Sequence, residues 1–349
     1  IKTTDGGATW KVMIVPGAEK LDFRDVEAFD GSTAYILSIG NGASSRIFKT
    51  ADGGSTWKEQ FRNKNEKAFF DAIACWDAKN CVAMSDPVDG KYVLIETRDG
   101  SAWTPIDTSR MPDAKVGEAA FAASGTCLIT QGKNNAFFVT GGTDARVFRT
   151  RDRGKTWQVS ETPITKGTAG SGIFSIAMFD DKNGVIVGGN YERPEERNKT
   201  FAMTRDGGVT WQLGARPYGY RSGIAYLDRK TIVAVGTSGA DASYDRAVLW
   251  EKLDKENLNT VSAKGRDAVW AVGPNGIVSK LNPGVLARRN PDKMPGCHLC
   301  NVSDITLSHV LVSSDCTSSD KLCSRDRRIE VRTAAMNIEM DHEYLYEVS

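Results

Sequence analysis

The sequence predicts an all-β protein: a seven-bladed β-propeller, its first blade truncated on the N-terminal side, followed by an irregular C-terminal extension. Three observations lead there. First, a short string recurs as TTDGGATW at 3–10, TADGGSTW at 50–57, TRDRGKTW at 150–157 and TRDGGVTW at 204–211, with worn copies TRDGSAW at 97–103 and SYDRAVLW at 243–250. Second, its aspartates, Asp5, Asp52, Asp99, Asp152, Asp206 and Asp245, are spaced by 47, 47, 53, 54 and 39 residues. A repeat of this length marks a propeller or a solenoid. Third, β-rich runs precede the strings, such as AYILS at 34–38 with RIFKT at 46–50, and AFFVT at 136–140 with RVFRT at 146–150. Each unit then reads as three strands, the string and a fourth strand, which is a propeller blade.

The string has the chemistry of a hairpin turn. Its Asp accepts backbone N–H bonds from the residues that follow, and its Gly supplies a left-handed backbone. Its Thr and Trp restart a strand, with the indole packed between neighbouring sheets. Six strings mark six blades. A seventh unit without a string reads DAVWAVGPNGIVSKL at 267–281. The first unit begins at Ile1, directly before its string, and lacks inner strands. An exposed sheet edge is expected there. The propeller is assigned to residues 1–283 and the extension to 284–349.

Composition removes several function classes. The chain has 349 residues, 45 Lys+Arg against 44 Asp+Glu, and 40% hydrophobic residues. That suffices for a core and argues against disorder. A net charge of +1 argues against a nucleic-acid coat or a polybasic membrane binder. No apolar run reaches the length of a membrane-spanning helix. All three histidines, His298, His309 and His342, follow residue 297, so the propeller holds neither a Ser-His-Asp triad nor a His-ligated metal. No dinucleotide or haem motif is visible, and no cofactor is expected.

The extension also holds Cys297, Cys300, Cys316 and Cys323. Their spacing leaves open a zinc site or a segment foreign to the repeat. Cys75 and Cys81 flank a predicted hairpin, where they are either a disulfide, fitting an oxidising compartment, or two small buried residues. Cys127 reads as core. Asn198 and Asn301 begin sequons.

Function is expected at the channel mouth, opposite the string turns, which are read as structural. Two sets of loops converge there. They bring Arg24, Asp25, Asp71, Glu118, Tyr220 and Arg221 from the starts of inner strands, and Asp86 and Tyr191 from loops between second and third strands. Two arginines, several carboxylates and aromatics compose a polar-ligand or peptide site. The alternative is that Arg24, Asp25, Asp71 and Arg221 pair with one another around the axis. Two-carboxylate glycoside hydrolysis through Asp71 and Asp86 also stays open.

The string resembles the Asp-box, or BNR repeat, of sialidases, sortilins and related propellers. The Arg-Ile-Pro segment of sialidases does not occur. Beyond the strings, LDFRDV at 21–26, FFDAI at 69–73, SDP at 85–87, FSI at 174–176, YRSG at 220–223 and VGPNG at 272–276 are similar to the photosystem II stability/assembly factor family and its bacterial relatives. That resemblance implies a non-catalytic, exported or lumenal propeller that binds a partner polypeptide. It implies a basic partner face represented by Arg24 and Arg221, and more loosely by Arg46 and Arg146. A signal peptide is expected to be missing from this sequence. The expectation is a binding scaffold for a protein or peptide, with a glycan-active enzyme or glycan-binding propeller as the alternative.

Overall fold

The computed structural model describes residues 1–282 and the strands Ile305–Val312 and Ile329–Met336. Six antiparallel sheets follow one another along the chain, each built from strands that pair in sequence order. The first contains Asp22–Ala28, Ala34–Ile39, Arg46–Thr50 and Lys58–Arg62. The second contains Phe70–Asp77, Asn80–Val88, Lys91–Thr97 and Thr104–Pro105. The third contains Leu128–Gln131, Asn135–Val139, Arg146–Thr150 and Gln158–Glu161. The fourth contains Ser171–Met178, Gly184–Asn190, Phe201–Thr204 and Gln212–Leu213, and Gly141–Gly142 and Glu118–Ala119 extend its inner edge. The fifth contains Gly223–Tyr226, Ile232–Gly236, Gly239–Ser243 and Glu251–Asp254. The sixth begins with Thr260–Lys264, Ala268–Val272 and Ile277–Lys280. This is a β-propeller.

The blade count corrects the expectation: six sheets form, not seven. The string at 3–10 makes no sheet, and its flanks Lys2 and Lys11 meet through a single bridge. Residues 1–11 supply one turn with two short flanks, and such a pair cannot sustain a sheet alone. The turn still has a fixed place. Trp10 meets Trp270 of the sixth sheet edge-on at 5.5 Å, and Lys280 Nζ donates to Gly6 O at 3.3 Å. On its other side Lys2 Nζ donates to Gly31 O at 2.6 Å and Gly53 O at 3.2 Å in the first sheet. Lys49 repeats this contact between the first and second sheets, donating to Gly100 O at 2.8 Å.

The sixth sheet continues into Ile305–Val312, which pairs with Ile277–Lys280, and then into Ile329–Met336. Part of the extension expected to be irregular is therefore strand. The four cysteines of the zinc reading and Asn301 lie outside the described residues.

The string turns share one face with the hairpins that join first and second strands. Asp52 Oδ1 accepts from Thr56 N and Thr50 Oγ1, both at 2.9 Å, and Oδ2 accepts from Thr56 Oγ1 at 2.6 Å. These donors hold the Asp52 carboxyl at about 2. Asp5, Asp152 and Asp206 are bound alike. Asp99 and Asp245, whose strings lack the second Thr, accept backbone N–H groups from the following residues and the hydroxyl of Thr97 or Ser243. The core lies between sheets, as where Tyr92 of the second sheet meets Phe138 and Phe148 of the third at 4.9 and 5.0 Å. Cys75 and Cys81 are disulfide-bonded across the first hairpin of the second sheet, and Cys127 is buried and free.

Candidate functional site

Bulges decide which side chains reach the axis. Register slips between Phe23 and Asp25 leave Arg24 unpaired. Slips in the second sheet do the same for Asp71 and Asp86, and one in the fourth does so for Phe174. A bulge turns its extra residue off the alternation of the strand.

The first two sheets gather acid at the axis. Asp25 Oδ1 accepts from Val26 N and Oδ2 from Ile73 N of the second sheet, each at 2.8 Å. Asp86 Oδ1 accepts from Ala120 N at 2.8 Å. Asp71 is fully buried and its Oδ2 has no hydrogen-bond partner. Asp25 is partly buried, and burial pushes it up to about 7 against its two N–H donors. Burial, and then the charge of Asp25, push Glu27 up to about 8. Burial raises Asp86 to about 6. It raises Asp71 well above the usual range, with Asp86 adding to the rise. No basic side chain offsets any of these four. The Cys127 thiol is also raised, by burial and by Asp71, Asp25 and Asp86.

Residues 120–127 occupy the axis without regular structure. They join sheets from around the ring. Ala120 is held by Asp86 of the second sheet, and Ser124 O accepts from Thr260 Oγ1 of the sixth at 2.8 Å. Ser124 Oγ donates to Phe174 O at 3.2 Å, and Thr126 Oγ1 shares a 2.6 Å hydrogen bond with Ser175 Oγ of the fourth. Gly125, at φ +72°, lies so close to Asp25 of the first sheet that an added Cβ would strike its carboxylate.

Aromatic rings form the opposite wall. Phe121 stacks on Phe174 at 3.8 Å, and Tyr220 and Tyr191 meet Phe174 edge-on at 4.8 and 6.2 Å. Phe174 and Tyr220 are buried, whereas Tyr191 is 47% exposed. Burial raises the Tyr220 phenol.

The structure brings Asp25, Asp71 and Asp86 together and separates them from the two arginines. Arg24 pairs with Asp22 at 2.8 Å near the surface. Arg221 is 1% exposed and reaches Asp241 through Nε at 2.8 Å and Nη2 at 2.6 Å. Its Nη1 donates to Tyr220 O at 2.7 Å and Ser238 Oγ at 3.0 Å. Glu118 is buried against Arg146, whose Nε donates to Oε1 at 2.8 Å, and Thr140 Oγ1 donates to the same oxygen at 2.6 Å. The pairing of Arg24, Asp25, Asp71 and Arg221 with one another is replaced by pairs to Asp22 and Asp241.

Sequence reasoning missed Glu27, Asp241 and the axial segment. Glu27 had a usable signal, because two residues beyond Asp25 on one strand it shares that residue's face. Asp241 had none, lying inside a third strand. Among the described residues no helix is long and apolar enough to cross a membrane, and no group of His, Cys, Asp and Glu is arranged to hold a metal.

No family model matches the chain, and no curated protein sequence matches it. Solved structures do match. A GH74 enzyme of Niastella koreensis aligns with a TM-score of 0.54 and 14% identity over 74% of this chain and 41% of that enzyme. An ancestral GH74 enzyme aligns at 0.52 and 15% over 75% of this chain and 36% of that one. This chain therefore spans less than half the length of either. YCF48 bound to D1 peptide aligns at 0.41 and 14% over 76% of this chain and 94% of that one. At these identities the likeness shows the fold, a β-propeller, and nothing finer.

Proposed function

We propose that the chain is a non-catalytic binding propeller that docks a partner polypeptide at its mouth, with Tyr191 as an anchoring side chain. The observation that carries this reading is the filled axis. A glycoside hydrolase needs two carboxyl groups flanking an open cleft. Here residues 120–127 occupy that space, Asp25 and Asp86 accept N–H bonds from neighbouring segments, and Asp71 is fully buried. These carboxyls serve cohesion between sheets. Tyr191 is an aromatic side chain left open at the mouth, backed by Phe174. An aromatic ring supported by other rings is a typical hot spot for polypeptide recognition. The Cys75–Cys81 bond supports the further reading that the protein works in an oxidising, exported location.

The test has two arms on the full chain. Fluorogenic sialosides and common glycosides are incubated with wild type, Asp71→Ala and Asp86→Ala. Partner capture by crosslinking compares wild type with Tyr191→Ala. The expected result is no hydrolysis, with capture weakened about tenfold in Tyr191→Ala. Turnover that disappears in the aspartate variants would replace this reading with the hydrolase.

A further inference from the structure

The face that carries the string turns holds a cavity of about 310 Å³ between the second and third sheets. That volume is at the lower end of small-ligand sites. We propose that it binds a small organic oxyanion, a ligand carrying a carboxylate, phosphate or sulfate group. The site is independent of the mouth on the opposite face.

Three features converge. The first is charge. Arg98 comes from the turn of the second sheet, and Arg151, Arg153 and Lys155 come from the turn of the third. The two carboxylates in the wall are already engaged. Glu96 pairs with Arg98 at 2.8 Å, and Asp152 accepts from Thr150 Oγ1 at 2.8 Å, Thr156 N at 2.9 Å and Thr156 Oγ1 at 2.6 Å. Lys155 has no carboxylate partner among the described residues, whereas the Arg151 guanidinium lies away from the cavity, against Gly207 of the fourth sheet. Guanidinium and ammonium groups are the natural donors for an oxyanion.

The second feature is strain. Arg153 sits at φ +59°, where four other turns hold Gly6, Gly53, Gly100 and Gly207 and the turn of the fifth sheet holds Arg246 at φ +66°. A left-handed backbone at a non-glycine residue is strained. It persists here with a side chain that spans two sheets.

The third is pre-organisation. Arg153 Nε donates to Lys133 O at 2.8 Å, and Nη1 donates to Asn80 Oδ1 at 3.1 Å. Its guanidinium lies over the Trp76 ring at 5.5 Å, and the Trp76 indole N–H is fixed on Asn135 O at 2.9 Å. Asn80 and Trp76 belong to the hairpin closed by the Cys75–Cys81 bond. One cation is thus locked in place, and the unpaired Lys155 stands beside it.

Calorimetric titration of the full chain at low salt tests this, with glucuronate, glucose 6-phosphate and glucose 6-sulfate as probes and glucose as the neutral reference. At least one anionic probe should saturate with a Kd below about 1 mM, in the range of a weak specific site, and glucose should not bind. Which probe binds identifies the oxyanion. Lys155→Ala removes an exposed side chain and should weaken binding about tenfold. Arg153→Gly restores glycine at the left-handed position, so it should keep the thermal midpoint while losing affinity. Unchanged affinity in both variants, equal binding of glucose, or no saturation by any anionic probe would each overturn the proposal.

Discussion

Glu27→Gln offers the sharpest test of the acidic axis. Glu27 lies on the innermost strand of the first sheet, two residues from Asp25. Burial and the Asp25 charge raise it from 4.5 to about 8. The native state therefore keeps a proton that the unfolded chain releases. Stability from this group is complete below pH 4.5 and is lost as pH rises through about 8. Each pH unit of displacement corresponds to ~1.4 kcal/mol, so full ionisation has a ceiling of roughly 5 kcal/mol. Glu27 is only partly buried, and its open edge admits water, which brings the expected effect down to ~2 kcal/mol. Glutamine copies the neutral form and cannot ionise. Wild type and variant should match near pH 4.5. At pH 9 the variant should be more stable by ~2 kcal/mol, or a few degrees in Tm for a propeller of this size. Urea unfolding at both pH values measures this. Parallel stability curves for the two proteins, or a variant less stable at pH 9, would refute the reasoning.

Three further perturbations follow from the same geometry. Removing the disulfide with Cys75→Ser/Cys81→Ser opens a short loop and should lower unfolding free energy by about 2 kcal/mol, read by denaturant midpoint; no change would mean the bond is absent in solution. Arg221→Met leaves Asp241 buried without its cation, and breaking such a pair should cost ~3–5 kcal/mol; a loss under ~1 kcal/mol would show that water reaches Asp241. Gly125→Ala puts a methyl group against Asp25 and asks alanine to hold φ +72°, so thermal melts should show a loss of roughly 2 kcal/mol, while an undisturbed melt would mean the axial segment can move aside.

The fold was legible because its signal is periodic. The six strings and the β-rich runs before them are local chemistry repeated every 39 to 54 residues, and each found its place in a turn or strand. The blade count was less legible. Asp5 carries the same turn as Asp52, yet a turn becomes a blade only when strands flank it on both sides in space. The site was legible by position and obscure by partner. Asp25, Asp71 and Asp86 could be placed near the axis from their place in the unit. The bulges at Arg24, Asp71 and Asp86 could not, because a bulge adds one residue without a distinctive sequence. Arg221 illustrates the rest: its cation is satisfied by Asp241, a contact set by which strand lies beside the loop.

A net charge of +1 conceals a separation that the repeat itself produces. The position after the first Thr of the string is Arg98, Arg151 and Arg205 in three successive sheets, and all three are exposed. A side chain there points off a turn into water, so a cation is tolerated at little cost. Positions at the axis behave in the opposite way. Acids there meet within one sheet, as Asp25 meets Glu27 along the first strand of the first sheet and Asp71 meets Asp86 across the first two strands of the second. Buried like charges are relieved either by a cation or by a proton. Glu118 and Asp241 take the first route, through Arg146 and Arg221. The axial four take the second, with Asp86, Asp25 and Glu27 raised to about 6, 7 and 8. The rise in pH that removes those protons therefore acts on the contact between the first and second sheets, where Asp25 holds the Ile73 N–H.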